Sequence, residues 1–300
     1  MHSVRRRTAE EKEEKRIAEK AHIDKFCKLS ETVMALRNNE ELTKEALKTA
    51  GTLLEMNFEF YTVWNFRREI IQRLSEENSD SDALYKEELQ FIQNAIMANP
   101  KSYWAWFHRK WIISRMSQPS YTKEIFLCNQ LLEKDTRNFH CWGYRRWICQ
   151  KMGAGEQEIF DFTTKKIEHL FSNYSAWHER SRILSTYPAQ QLKGLLQSEL
   201  EYVQNAFFTS PDDQSAWFYY RWLIAKFIEN STEEEASQLL ETQFEPLDQL
   251  IEVEPNSRWP LNTKLYLLSK MNGRGEEMKE ILVKLREVDP THQKYPELNS

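Results

Sequence analysis

Apolar residues recur along this chain at intervals of three and four, the spacing that keeps one face of an α-helix apolar. Leu84, Phe91, Ile92, Ala95 and Ile96 form one such stripe. Residues 5–37 read as a charged helix whose stripe runs through Ile17, Ile23, Phe26 and Met34. Further on, an aliphatic stripe leads into a short turn and then into a second helical segment rich in Trp and Arg. These turns fall around Asn99-Pro100, Asp135-Thr136 and Ser210-Pro211. Asn99, Asp135 and Ser210 are expected to cap the second segments, and Pro100 is tolerated in a first helical turn. The acidic stretches Glu76 to Asp82 and Glu229 to Glu235 read as loops between helix pairs.

Five Trp-Arg segments share one frame. Their anchors are Trp64, Trp106, Trp142, Trp177 and Trp217, separated by 42, 36, 35 and 40 residues. Three positions before the first four anchors stand Tyr61, Tyr103, Phe139 and Tyr174, and Arg67, Arg109, Arg145, Arg180 and Arg221 come after the five. Self-similarity at this period marks a repeat array, in which each helix pair buries its apolar face against its neighbours. A sixth copy, Glu254 to Leu261, keeps the turn but has Leu261 at the anchor position, while Trp259 matches Trp104. A last helix at about 275–288 closes the chain before Asp289-Pro290. The expected fold is all-α, an alpha-alpha superhelix of stacked antiparallel helix pairs. Its expected organisation is a charged helical segment at 1–40 and a helical-repeat domain at 41–300. That domain holds five strong repeats (about 41–230), the degenerate sixth and the capping helix.

Residues three apart share a helix face, so each aromatic is expected to join its Trp and Arg in packing. An Arg among buried rings needs a carboxylate, a carbonyl or a ring face as partner. Most of the frame therefore reads as inter-helix mortar, Tyr103 included.

Composition narrows the function. Apolar residues make up 40% of the 300, and only 7 Gly and 9 Pro interrupt them, which favours helices over a many-stranded sheet. A net charge of -5 argues against broad nucleic-acid binding. No apolar run approaches the roughly 18 residues of a membrane span. The opening MHSVRRRTAEEKEEKRIAEK lacks the apolar core of a secretory signal, so a cytoplasmic protein is expected. Cys27, Cys128, Cys141 and Cys149 show no CxxC pairing and are expected to be reduced, buried thiols. The seven His residues form no HExxH or Cys/His cluster, so no metal site is expected on this chain. His2, being terminal, is the one His that could reach outward, although a disordered end accounts for it as well.

The frame resembles the protein prenyltransferase alpha-subunit repeat, whose pattern is close to Pro-x-Asn-Tyr-x-x-Trp-x-x-Arg-Arg. Five strong copies and one weak copy cover residues 57–265. The stretches Arg137 to Trp142, Phe171 to His178 and Val203 to Tyr219 are most similar to the branch that modifies Rab GTPases, in a short form without immunoglobulin-like or leucine-rich domains. That resemblance implies a heterodimer in which a beta subunit holds the zinc and the lipid pocket. It implies transfer of geranylgeranyl from geranylgeranyl diphosphate to C-terminal cysteines of Rab GTPases presented by Rab escort protein. Two alternatives stay open: the alpha subunit shared by farnesyltransferase and geranylgeranyltransferase type I, and a helical-repeat scaffold without catalysis.

The resemblance also assigns residues. Lys101, just before the repeat tyrosine, matches the lysine that faces the departing diphosphate, where a fixed ammonium favours the charge that develops. A cation in a helix's first turn works against the helix dipole, which points the same way. Tyr103 is its companion contact. Asn138 and His140 match the stretch that borders substrate, and between them Phe139 replaces the tyrosine of farnesyl-type subunits, removing a phenol.

Overall fold

The computed structural model describes residues 9–77 and 80–290; His2 lies outside them. The described residues form fifteen α-helices and no strand. Two compact units divide the chain, Met1–Met152 and Gly153–Ser300.

The first unit contains α1 (Ala9–Asn38), α2 (Lys44–Met56), α3 (Tyr61–Glu77), α4 (Ser81–Ala98), α5 (Tyr103–Ile113), α6 (Tyr121–Lys134) and α7 (Phe139–Met152). Helices pack in consecutive pairs, α2 with α3, α4 with α5 and α6 with α7. The second members also pack on one another, α3 on α5 and α5 on α7. Helix α1 lies on α2, and here the expected stripe fails: Ile17 and Ile23 are 60% and 58% exposed, whereas Val33 is buried. At 1.5 Å per residue, α1 runs about 45 Å against about 20 Å for α2. Its N-terminal half overhangs, and only the half from Phe26 onward finds a surface.

The second unit contains α8 (Glu156–His169), α9 (Tyr174–Leu184), α10 (Ala189–Thr209), α11 (Gln214–Glu229), α12 (Glu233–Thr242), α13 (Phe244–Val253), α14 (Arg258–Leu268) and α15 (Gly275–Val288). Its pairs are α8 with α9, α10 with α11, and α14 with α15. The first helix of the sixth repeat is broken at Gln243 into α12 and α13. Pro246 has no N–H to return to Thr242, so one continuous helix is not available there. Leu261 occupies the anchor position and is buried with Leu265 and Leu268 against Ile281, Leu282 and Leu285.

Caps differ from expectation by three residues. Asn99, Asp135 and Ser210 end α4, α6 and α10, while Ser102, Asn138 and Asp213 start the next helices by accepting backbone N–H groups. The turn thus spends one polar residue on each side.

All five anchor tryptophans are buried, none more than 5% exposed. Each donates its indole Nε1–H to the carbonyl six residues earlier: Phe58, Pro100, Thr136, Phe171 and Pro211, at 2.7–2.9 Å. The ring fills the core while its one donor staples the turn that precedes it. The paired arginines reach the next repeat. Arg67 binds Glu88, Arg109 binds Glu124 and Arg180 binds Glu199, every partner being buried. The oxygen that accepts each arginine Nε also takes a donor two positions after the next anchor: His108 Nε2 at 2.8 Å on Glu88, Tyr144 on Glu124 at 2.7 Å, and Tyr219 on Glu199. Burial alone would raise the Glu88 carboxyl, but Arg67 and His108 outweigh it and hold it at about 2. Burial in turn holds the His108 imidazole below its usual range despite Glu88.

Cys128, Cys141 and Cys149 are buried as expected, but Cys27 is exposed because it faces away from α2 on the half-covered α1.

Candidate functional site

The loops that join first to second helices in the first unit share a local design. Asn57, Asn99 and Asp135 each turn a side-chain oxygen onto the backbone N–H two residues on, at Glu59, Lys101 and Arg137, over 3.0–3.3 Å. Such Asx turns fix a short loop without regular structure. The loops are then tied in series. Pro100 O accepts both Trp106 Nε1 of its own repeat and Asn138 Nδ2 of the next, at 2.8 and 2.9 Å. Phe58 O likewise accepts Trp64 Nε1 at 2.7 Å and Ser102 Oγ at 3.4 Å. A carbonyl has two lone pairs, and these two use both.

Of the four residues expected at the site, three share a surface and one lies behind it. Lys101 lies in the turn rather than in the helix. Its side chain is 74% exposed, with Nζ 3.9 Å from Asp135 Oδ2. Tyr103 is 61% exposed and therefore is not core as expected; Tyr61, Phe139 and Tyr174 are exposed too. Each is the first residue of its helix. A helical side chain leans toward the N-terminus, so there it projects past the packed part of the helix. His140 is half-buried, with its ring edge-on to Tyr103 at 4.2 Å and against Phe139 at 4.0 Å. Burial lowers the His140 imidazole, and the Glu59 carboxylate partly opposes it. Asn138 is buried, with Oδ1 on Cys141 N–H and Nδ2 on Pro100 O. Both ends of its amide are engaged, so it acts on the surface by holding the Lys101 loop rather than by touching a ligand.

Sequence reasoning missed Glu59 and Asn99. Glu59 Oε1 accepts Asn99 Nδ2 at 3.2 Å, across two repeats. The signal was in the frame: Glu59, Lys101 and Arg137 all stand five residues before an anchor.

Around this cluster the second helices present rings and cations. Tyr61 packs on Trp104 at 4.2 Å, Arg68 lies over Phe107 at 5.1 Å, Arg115 over Trp111 at 3.9 Å and Lys110 over Trp147 at 5.0 Å. Phe107 is 52% exposed. These pairs set rings and cations side by side along the second helices of the first unit. Among the described residues no three His, Cys, Asp or Glu side chains converge as metal ligands, and no helix is long and apolar enough to cross a membrane.

Comparison with known proteins identifies the repeat. The protein prenyltransferase alpha subunit repeat matches residues 43–74, 85–116, 121–152, 156–187 and 196–227. The chain is similar to the geranylgeranyl transferase type-2 subunit alpha of Dictyostelium discoideum, at 40% identity over 98% of this chain and 97% of that one. It is 41% identical to the rat protein of the same name over 73% of this chain, and it spans only 41% of that relative's length. Among solved structures, Candida albicans protein geranylgeranyltransferase-I complexed with GGPP superposes with a TM-score of 0.74 at 21% identity, over 90% of this chain and 87% of that one, a likeness of fold.

Proposed function

The chain belongs to the protein prenyltransferase alpha-subunit family, and on that premise we propose that it is the alpha subunit of a type-2 protein geranylgeranyltransferase. The observation that carries this reading is the surface built by Lys101, Tyr103 and His140 beside an exposed row of rings, within a chain similar to a type-2 alpha subunit from end to end.

The active species is a heterodimer. A beta subunit covers the ring-and-cation face of the first unit and holds the zinc, for which the described residues here offer no ligand set. Zinc held there would lower the pKa of a substrate thiol and so make the thiolate available as nucleophile. The substrate sulfur bonds to C1 of geranylgeranyl diphosphate as the C1–O bond breaks, and diphosphate leaves with the electron pair. The thiol proton goes to solvent. Lys101 acts on the departing diphosphate: its ammonium meets more charge in the transition state than in the ground state, so the step is accelerated rather than only the binding. A compact ammonium on a flexible stem suits a phosphate that moves as it leaves. Tyr103 and His140 wall the same place with an edge-on pair. The protein substrates are Rab GTPases presented by Rab escort protein, in the cytoplasm.

The test is co-expression with a type-2 beta subunit, with prenylation then measured on a Rab–escort complex and on a CaaX-tailed protein. Modification of the Rab tails alone supports the reading. Modification of the CaaX protein alone transfers the chain to the type I branch, and failure to form any heterodimer overturns it.

A further inference from the structure

We propose that Glu59 is a positioning residue for this reaction, holding the Lys101 loop from the preceding repeat. The inference rests on the role of Lys101 at the departing diphosphate. Glu59 Oε1 accepts Asn99 Nδ2 at 3.2 Å, and Asn99 Oδ1 accepts the Lys101 backbone N–H at 3.3 Å. The chain of contacts therefore runs carboxylate, amide, peptide N–H, and it ends on the backbone of the residue whose side chain faces the diphosphate.

The chemistry of the first link decides the second. An asparagine amide can be turned two ways, and only one directs its oxygen at Lys101 N–H. An ionised carboxylate accepts and cannot donate, so Glu59 selects the orientation in which Nδ2 faces it and Oδ1 faces the loop. The third repeat needs no such partner, because Asp135 presents an oxygen to Arg137 N–H either way. The position recurs in the second unit without the chemistry. Asp212, five residues before Trp217, accepts Ser257 Oγ of the next repeat at 2.9 Å. A carboxylate reaching forward to the next loop is thus a device of the array, and in the first unit it has a lysine loop to act on.

The experiment uses the heterodimer in single-turnover prenylation with geranylgeranyl diphosphate and a Rab–escort complex. Glu59→Ala is expected to slow the bond-forming step about three- to tenfold, the range for one surface hydrogen bond, with KM for the protein substrate unchanged. Glu59→Gln keeps an acceptor oxygen and should recover most of that rate. In the Glu59→Ala background, Asn99→Asp presents an oxygen to the Lys101 N–H either way, as Asp135 does to Arg137, and should restore most of the rate. The double variant Glu59→Ala/Lys101→Ala should be no slower than Lys101→Ala, because Glu59 acts only through Lys101. Asp212→Ala should leave the rate unchanged. A wild-type rate for Glu59→Ala, no restoration by Asn99→Asp, or losses that multiply in the Glu59→Ala/Lys101→Ala variant, overturns the proposal. A wild-type rate for Lys101→Ala removes it together with the role of Lys101, whereas absence of transfer by the unmodified complex removes the enzymatic reading itself.

Discussion

Arg109, Glu124 and Tyr144 in the first unit and Arg180, Glu199 and Tyr219 in the second make the same buried arrangement. The loops above them are unlike. Five, three and two residues before Trp106 stand Lys101, Tyr103 and Trp104, and before Trp142 stand Arg137, Phe139 and His140. The corresponding residues are Ser172, Tyr174 and Ser175 before Trp177, and Asp212, Gln214 and Ser215 before Trp217. The repeat therefore separates its duties by position. Residues on the C-terminal side of the anchor hold the array. The positions five and two residues before the anchor differ between the units, and only the first unit has Lys101 and His140 there.

The comparison breaks if the buried arrangement proves unequal. Glu88→Gln and Glu199→Gln each strand a buried guanidinium, and each should cost about 3–5 kcal/mol in chemical denaturation. A loss confined to one unit would mean the two are not held alike. Acid separates them more finely. Glu88 is held at about 2 against an ordinary 4.5, a folded pKa depressed below the unfolded one. Its stabilisation, about 3 kcal/mol, is complete above pH 4.5 and fades as pH falls toward 2. His108, also depressed, adds a loss that begins as pH drops below 6.5. Replacing His108 by Gln should move the onset of acid unfolding, monitored by near-UV circular dichroism, to lower pH. An unchanged onset would remove His108 from the balance.

The surface side of the comparison is sharpened by activity. Lys101→Ala should slow single-turnover prenyl transfer about 10- to 100-fold. It should alter stability by no more than about 0.5 kcal/mol, since its contact with Asp135 is an exposed pair. Ser172→Ala, the same position in the second unit, should leave the rate as it is. A comparable loss there would show that both units border the chemistry. The smallest effect is expected of Phe139→Tyr, which restores the farnesyl-type phenol on an exposed ring: less than about twofold in rate, by the same assay.

The array was legible because its signal is redundant. Five tryptophans at one register, and Leu261 in place of a sixth, specify helix pairs whatever the loops do. Lys101 and His140 were singled out through the resemblance, and both lie on one surface with Tyr103. Tyr103 was misplaced into the core because helical periodicity gives a direction around the axis and not a position along it; the first residue of a helix has no turn behind it to pack against. Asn138 looked like a surface contact, yet a cap that also braces the previous turn is drawn under cover. Glu59 and Asn99 touch across 40 positions, and no local pattern announces an amide that needs its orientation chosen. Ile17 and Ile23 read as a packed stripe because amphipathicity does not reveal how long the neighbouring helix is.

The indole staple has a consequence for how such chains can change length. From accepting carbonyl to anchor the count is six in all five repeats, while the anchors themselves stand 35 to 42 residues apart. One residue more or fewer in that turn takes the indole N–H away from its carbonyl and strands a donor in the core. Insertions and deletions are thus channelled to the first helices and to the connections at their other end. The turns that precede the anchors keep their spacing while the connections at the other end of the first helices absorb the drift.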